Sequence, residues 1–292
     1  MCGIVGAASQ RNVYKILIEG LRRLEYRGYD SAGLSIIDAT ETLQTQKTIG
    51  KVVELEKLGA ANSIAGKTGI SHTRWATHGE PSSINSHPHI SSGISVVHNG
   101  IIENHEALRS ELIQAGYTFV SATDSEVIAH LIHHHLKTVK DLRGAVEKTI
   151  ARLEGAYSLG VVSEDQPDVL IGTRSGSPLV IGVGIDENFI ASDQMALRQV
   201  TDRFVFLEEG DLVELSSANY SIYDQSGAQV QRPVEQLDEK DLIAEKGQYR
   251  HFMQKEIFEQ SAVLANTTAG RIAKDHIREA IFGYQAEALF AQ

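Results

Sequence analysis

The sequence is poor in cysteine and in long apolar runs. Cys2 is the only cysteine among 292 residues, which excludes an intramolecular disulfide and a zinc site built from several thiolates. No stretch approaches the roughly 18 consecutive apolar residues that a membrane-spanning helix requires. The N-terminus also lacks a basic segment followed by a long apolar run, so we predict no secretory signal and a cytoplasmic protein.

Positive charge is the other scarce feature. Lys and Arg number 27 against 38 Asp and Glu, so the formal net charge is −11. This balance argues against binding to nucleic acid and against docking on an anionic membrane surface. Because 42% of the residues are hydrophobic, the chain can bury a large core. At roughly 150 residues per domain, its length predicts about two domains or one large one.

The apolar spacing predicts mixed α and β structure up to residue 223. Strands are expected at 2–8, 33–37, 67–73 and 93–99, and helices at 13–24, after Asn104, after Thr123 or Asp124, and at 142–153. Short strands follow between 158 and 215. The polar segment 74–89 is predicted to be a long loop, and such loops are often functional.

The pattern changes after residue 223. Residues 224–247 are polar and charged and are interpreted as a linker, and helices are predicted at 249–268 and 277–290. We therefore predict one domain over 2–223, followed by a linker and helices over 224–292.

The single cysteine stands directly behind the initiator Met. Removal of Met1 would give Cys2 both a thiol and a free α-amine. An α-amine has a pKa of roughly 7.7 to 8.0, so it can act as a base near neutral pH. One terminal residue can therefore supply nucleophile and base together, provided that Met1 is removed.

Five segments in order along the chain resemble the class II glutamine amidotransferases, which are N-terminal-nucleophile hydrolases. They are MCGIVG at 1–6, YRGYDSAG at 26–33, HTRWATHG at 72–79, VHNGIIEN at 97–104 and TDSE at 123–126. A Cys-Gly start alone would be a weak signal, whereas five ordered segments are specific. The similarity extends over about residues 1–271 and implies a four-layer αββα sandwich of the α+β class.

The resemblance implies a role for each matching residue in the hydrolysis of L-glutamine. Cys2 would be the nucleophile, and the side-chain amide of Asn99 with the N–H of Gly100 would stabilise the oxyanion. The α-carboxylate would be held by Arg74, because a guanidinium can form two parallel hydrogen bonds to it. Asp124 and the carbonyl of Gly100 would bind the α-ammonium group. Thr77 and His78 would close over the substrate, and Trp75 would gate an ammonia channel.

Trp75 and the motif HGEP at 78–81 resemble one group of family members in particular. In that group, a second half of the protein binds fructose 6-phosphate and aminates it. The sequence ends at Gln292, about where that half would begin, so fructose 6-phosphate would bind only through the missing half. Apolar residues that would pack against it, namely Phe258, Ile277, Ile281 and Phe290, could then drive formation of a homodimer. Partners other than L-glutamine and this sugar phosphate are not implied.

Two alternatives remain open. The chain could be the glutaminase domain of another class II amidotransferase, although Trp75 and the HGEP wording count against this. It could also be a catalytically silent glutamine-binding or assembly module, which would retain Arg74 and Asp124 but would not need a free Cys2 α-amine. An intact Met1 would favour the second alternative.

Histidines are frequent in the chain. His130 and His134 are four residues apart and would share a helix face, but no Glu completes a His-Glu-x-x-His metal motif. We interpret these histidines as surface or packing residues and predict no metal and no cofactor. His87 and His98 are expected to lie near the site without taking part in the chemistry.

Overall fold

The computed structural model describes residues 2–237 and 248–268. Contacts between residues divide the chain into two units, Met1–Asp241 and Leu242–Gln292. Within the described residues, the first unit contains fifteen strands, and the chain has six α-helices and two 3₁₀-helices of three residues each, at Glu25–Arg27 and Gln194–Ala196. No helix within the described ranges is long and apolar enough to cross a membrane.

The strands, in chain order, are β1 (Gly3–Ser9), β2 (Ser31–Ile37), β3 (Leu43–Ile49), β4 (Thr68–Arg74), β5 (His89–Ser91), β6 (Ile94–Ile102), β7 (Gly155–Ser163), β8 (Gln166–Ser175), β9 (Val180–Val183), β10 (Glu187–Ala191), β11 (Arg203–Phe206), β12 (Leu212–Leu215), β13 (Tyr220–Tyr223), β14 (Gln229–Val230) and β15 (Val234–Gln236). The helices are α1 (Tyr14–Leu24), α2 (Val52–Ala61), α3 (His105–Gln114), α4 (Glu126–Leu136), α5 (Leu142–Ile150) and α6 (Phe252–Thr268).

The strands form two antiparallel sheets. The first sheet has the order β15-β11-β9-β10-β1-β4-β2-β3, and the second has the order β14-β13-β12-β8-β7-β6-β5. β1, β2 and β4 are buried at every residue. Strands that are covered on both faces lose the alternation of apolar and polar residues, so this burial shows that the middle of the first sheet lies inside the molecule, whereas its edge strands β3 and β15 are partly or fully exposed.

Three apolar clusters define four layers. Ile4 and Ile70 of the first sheet pack with Val97 of the second, which places one cluster between the two sheets. α1 and α2 cover the outer face of the first sheet, and α3, α4 and α5 cover the outer face of the second. The αββα sandwich predicted from the resemblance is therefore the observed arrangement.

Several local expectations differ from the structure. The sequence pattern did not predict β3 or α2. Past residue 223, β14 pairs with β13 and β15 pairs with β11, so residues 229–236 extend the sheets where a linker was expected. The predicted helix at 249–268 is α6, and the predicted helix at 277–290 lies outside the described residues.

Two expected helix caps are wrong, because both side chains bond elsewhere. Asn104 stands at the N-terminal boundary of α3, but its amide donates to the carbonyl of Arg152 at 2.9 Å. The residue before α4 is Ser125, and the carboxylate of Asp124 accepts from the N–H of Ile102 at 2.9 Å. Both side chains, which the local pattern assigned to helix capping, instead form hydrogen bonds with backbone groups elsewhere in the fold.

Candidate active site

Cys2 lies at the start of β1, close to the middle of the first sheet. β1 pairs with β4 so that Gly3 faces Thr73, and this register brings Cys2 beside Trp75, just past the end of β4. The N–H of Trp75 donates to the Cys2 sulfur at 3.3 Å. The sulfur is thus held in a fixed position by the backbone of the loop that follows β4.

The Cys2 thiol is half-buried, and its surroundings act on its ionisation in opposite directions. Burial raises the pKa of the thiol, whereas the Trp75 N–H and the Arg74 charge lower it by a smaller amount. Because the net shift is upward, the thiol is protonated at neutral pH, and it needs a base before it can attack a carbonyl carbon.

Asn99 approaches Cys2 from the second sheet, where it lies in β6 and is followed by Gly100. The side-chain amide of Asn99 donates to the carbonyl oxygen of Cys2 at 3.4 Å. Gly100 has a φ of 134°, and a Cβ atom there would lie 1.9 Å from the carbonyl oxygen of Ala156. Only glycine can therefore occupy this position. Of the two expected oxyanion donors, the Asn99 amide therefore contacts the residue that carries the thiol, and Gly100 follows it in β6.

Arg74 is buried at the end of β4, with only 4% of its surface exposed. Its Nη2 atom donates to the carbonyls of His78 and Gly79. Within the described part of the chain, Nη1 is buried and has no hydrogen-bond partner. Burial lowers the pKa of this guanidinium, and the charges of Asp30, Cys2 and Asp124 act against that effect.

Asp124 is buried in the turn before α4. One oxygen accepts from the Ile102 N–H, and the other accepts from the Ser125 hydroxyl at 3.2 Å. Its charge acts on Arg74, so the site contains a positive and a negative group at fixed positions. This is the charge pattern that an α-amino acid requires.

The loop after β4 carries the remaining predicted residues. Thr77 is exposed, and His78 is half-buried with its ring 5.5 Å from that of His105 in an edge-on arrangement. Trp75 is 54% exposed and lies over Gly28, where a Cβ atom would be 3.0 Å from its ring. The loop therefore borders the site, since the Trp75 N–H contacts Cys2, and Trp75 and Thr77 are exposed to solvent.

The sequence reasoning assigned no role to two residues that hold this site together. Asp30 accepts from the backbone N–H of Ala76, and its own N–H donates to the Arg74 carbonyl at 2.8 Å. His72 contacts Asn99, with its Nε2 atom 2.9 Å from the amide oxygen. Both lie inside the segments 26–33 and 72–79, which is the signal that could have identified them.

The histidines of α4 make hydrogen bonds and ring contacts with neighbouring side chains. Nδ1 of His130 lies 2.9 Å from the Ser91 hydroxyl, and the His133 ring meets the Tyr117 ring edge-on at 5.3 Å. Across residues 2–237 and 248–268, no three His, Cys, Asp or Glu side chains are grouped as metal ligands would be. His87 and His98, which were expected near the site, are both buried; the His87 ring stacks on that of His72 and lies 6.4 Å from that of His98.

Comparison with known proteins agrees with this geometry. A family model described as a glutamine amidotransferase domain matches residues 72–199. The isomerizing glutamine–fructose-6-phosphate aminotransferase of Pseudomonas putida is 57% identical over 293 residues, which cover 100% of this chain and 48% of the relative. The corresponding protein of Escherichia coli K12 is 53% identical over 292 residues, with the same two coverages. The chain thus spans about half the length of the curated relatives that it matches.

Solved structures support the fold. The glutamine phosphoribosylpyrophosphate amidotransferase from B. subtilis matches with a TM-score of 0.64 and 26% identity, over 80% of this chain and 49% of its own. A glutamine aminotransferase class-II domain protein from Silicibacter pomeroyi has a TM-score of 0.54 at 18% identity, over 76% of this chain and 99% of its own, and shows the fold alone. The predicted fold is confirmed, and so is the similarity on which it was predicted: residues 72–199 match the glutamine amidotransferase domain, and the whole chain aligns with about half the length of the isomerizing glutamine–fructose-6-phosphate aminotransferases.

Proposed function

We propose that this chain hydrolyses L-glutamine to L-glutamate and ammonia, with Cys2 as nucleophile. The observation that carries the proposal is the buried Nη1 atom of Arg74, which has no partner within the described residues. An unpaired buried donor on a charged group is costly and is rare in folded proteins. A substrate carboxylate beside Cys2 would pair with it.

Both charged groups on the α-carbon of glutamine would find a partner in the site. The α-carboxylate would accept from Nη1 of Arg74, and the α-ammonium group would bind Asp124 and the carbonyl of Gly100. Charge-assisted hydrogen bonds of this kind are roughly twice as strong as neutral ones. The side-chain amide of the bound glutamine would then extend toward the Cys2 sulfur.

The reaction would proceed through a thioester. After removal of Met1, the free α-amine of Cys2 takes the thiol proton, and the sulfur attacks the amide carbon of glutamine. The resulting oxyanion accepts from the Asn99 amide and the Gly100 N–H. The C–N bond breaks as the protonated α-amine returns its proton to the leaving ammonia. Water then attacks the thioester, which releases glutamate and restores the thiol.

The loop after β4 would exclude water during this sequence. Thr77 and His78 would close over glutamine, and Trp75 would stand between the nucleophile and the path of ammonia. The names of two relatives support fructose 6-phosphate as the acceptor of that ammonia. The relatives from P. putida and E. coli are both called glutamine–fructose-6-phosphate aminotransferases. We propose that it aminates fructose 6-phosphate bound to a second half of the kind those relatives possess.

Location and oligomeric state stay predictions. A cytoplasmic location follows from the composition of the chain. A homodimer follows from apolar side chains such as Phe258, which is 66% exposed on α6, while Ile277, Ile281 and Phe290 lie outside the described residues. Sedimentation of the purified chain as a single monomeric species would contradict the homodimer.

The first experiment measures glutamate and ammonia release from L-glutamine by protein whose mass shows that Met1 is absent. Release is expected from this protein and not from Cys2→Ala, because alanine has no nucleophile. A matched control keeps the thiol but adds a tag before Cys2, so that the α-amine becomes an amide. This control should bind glutamine and release no ammonia. Equal release by the tagged protein would exclude the α-amine as base, and equal release by Cys2→Ala would overturn the proposal.

A further inference from the structure

A buried histidine touches the amide of Asn99 on the side away from Cys2. The Nε2 atom of His72 lies 2.9 Å from Oδ1 of Asn99, and the Asn99 Nδ2 atom donates toward Cys2. His72 is in β4 of the first sheet and Asn99 is in β6 of the second, so this contact bridges the two sheets behind the nucleophile.

The orientation of the Asn99 amide matters for catalysis because its two ends are chemically opposite. The N–H end stabilises an oxyanion, whereas the carbonyl end would repel it. The two orientations have nearly the same shape, so packing alone does not choose between them. A donor fixed beside Oδ1 does choose, because the reversed amide would place an N–H against that donor.

The His72 ring is itself held in place. It has no exposed surface, and it stacks on the His87 ring with the centroids 4.2 Å apart. Nδ1 of His87 accepts from the backbone N–H of His98 at 3.2 Å, which anchors that second ring to β6. Burial lowers the pKa of His72 to about 3, so the ring is neutral at working pH and carries one N–H. That N–H can serve Asn99 only in the Nε2–H tautomer.

We propose that His72 is a positioning residue for glutamine hydrolysis: its Nε2–H donates to Oδ1 of Asn99 and thereby turns the Asn99 N–H toward the oxyanion. This inference rests on the proposed function. His72 touches neither the substrate nor the nucleophile, and it acts entirely through Asn99. Its contribution is therefore made in the tetrahedral state and not in the binding of glutamine.

A matched pair of amide variants tests this role. In His72→Gln the amide nitrogen can occupy the place of Nε2 and still donate to Asn99. In His72→Asn the same chemical group is one methylene shorter and cannot reach. Loss of an oxyanion donor costs about 100- to 1,000-fold in kcat, so we expect misorientation in His72→Asn to lower kcat by about 10- to 100-fold. The KM for glutamine should stay within about twofold, and His72→Gln should recover most of the rate.

Two binding measurements separate this role from general damage to the site. The γ-aldehyde analogue of glutamine adds the Cys2 thiol across its C=O bond and forms a tetrahedral adduct, so His72→Asn should weaken its binding by the same factor as kcat. L-Glutamate, which forms no such adduct, should bind equally to all three proteins. Alkylation of Cys2 by iodoacetamide creates no oxyanion, so its rate should also be unchanged. Equal losses in all measurements would show a merely structural role and overturn the proposal.

The wild-type protein provides a test that needs no variant. With ¹⁵N-labelled histidine, NMR should identify His72 as the Nε2–H tautomer, with the proton on the atom that faces Asn99. The Nδ1–H tautomer would make Nε2 an acceptor and refute the proposal even if the variants fail to fold. Absence of glutamine hydrolysis by wild-type protein in the Nε2–H form would instead count against the proposed function.

Discussion

The geometry of the Arg74 guanidinium leads to a specific prediction about the binding of glutamine. Its Nη2 atom donates to two loop carbonyls, and its Nη1 atom is buried with no hydrogen-bond partner among the described residues. A lysine ammonium cannot serve both sides in a planar geometry. We expect Arg74→Lys to raise the KM for glutamine by about 10- to 100-fold, since a charged hydrogen bond contributes roughly 1.5 to 3 kcal/mol.

Steady-state glutamine hydrolysis measures this change, with Arg203→Lys as the control. Arg203 is exposed at the start of β11, so its replacement should leave KM unchanged. An Arg74→Lys enzyme with the KM of the wild type would mean that the carboxylate binds elsewhere.

At the same scale, the sequence singled out three residues that meet in the structure, but not His72, which contacts one of them. Cys2, Asn99 and Arg74 could be named from the family segments, and the structure brings them together. The contact between His72 and Asn99 spans 27 positions and joins two sheets. No periodicity in the sequence encodes which strands from separate sheets will meet, so this partner could not be derived.

Among the helices, α5 has the side-chain cap that the sequence assigned to others. Asp141 accepts from the N–H of Gly144 at 2.8 Å, which satisfies one of the free donors of the first turn. We expect Asp141→Ala to lower the free energy of unfolding by about 1 kcal/mol, and Asp141→Asn to retain most of it, because Asn and Asp cap about equally well. Urea unfolding of the three proteins measures this difference, and an Asn variant as unstable as the Ala variant would contradict the capping role.

The helices also show why the local sequence pattern predicted the positions of helices better than the residues that cap them. α1 was predicted from the spacing of Leu17, Leu21 and Leu24, and all three are buried in the structure. The predicted caps Asn104 and Asp124 instead reach distant backbone groups. A short polar side chain has several backbone groups within reach once the chain is folded, and only the tertiary structure decides among them.

For the whole molecule, the sequence predicted strands but not their partners. β1 pairs with β4 and also with β10. In the second pairing Val5 faces Ala191, although the two residues are far apart in the sequence. Strand propensity contains no information on such pairings. The polar strands β14 and β15 were missed for a related reason, because they are short and lie mostly at exposed positions where apolar alternation is weak.

Four buried histidines make the free energy of unfolding sensitive to mild acid; they are His72, His87, His89 and His98. Burial lowers the pKa of His72 to about 3, and it also lowers the pKa values of His87, His89 and His98. The unfolded chain therefore binds more protons than the folded one below a pH of about 6.5. As the pH falls through this value, each ring lowers the free energy of unfolding by up to about 1.4 kcal/mol per pH unit.

Urea unfolding at pH values between 7.5 and 5 should show a plateau above about 6.5 and a steep fall below it. This window isolates the histidines, because Glu126, whose pKa is lowered to about 2, contributes only in stronger acid. His89→Gln should reduce the slope by about 1.4 kcal/mol per pH unit, since one buried titrating ring is removed while a hydrogen-bonding group remains beside the Thr123 hydroxyl. Constant stability over the whole range would mean that the buried rings accept protons without loss of the fold, and that solvent reaches the interior between the sheets.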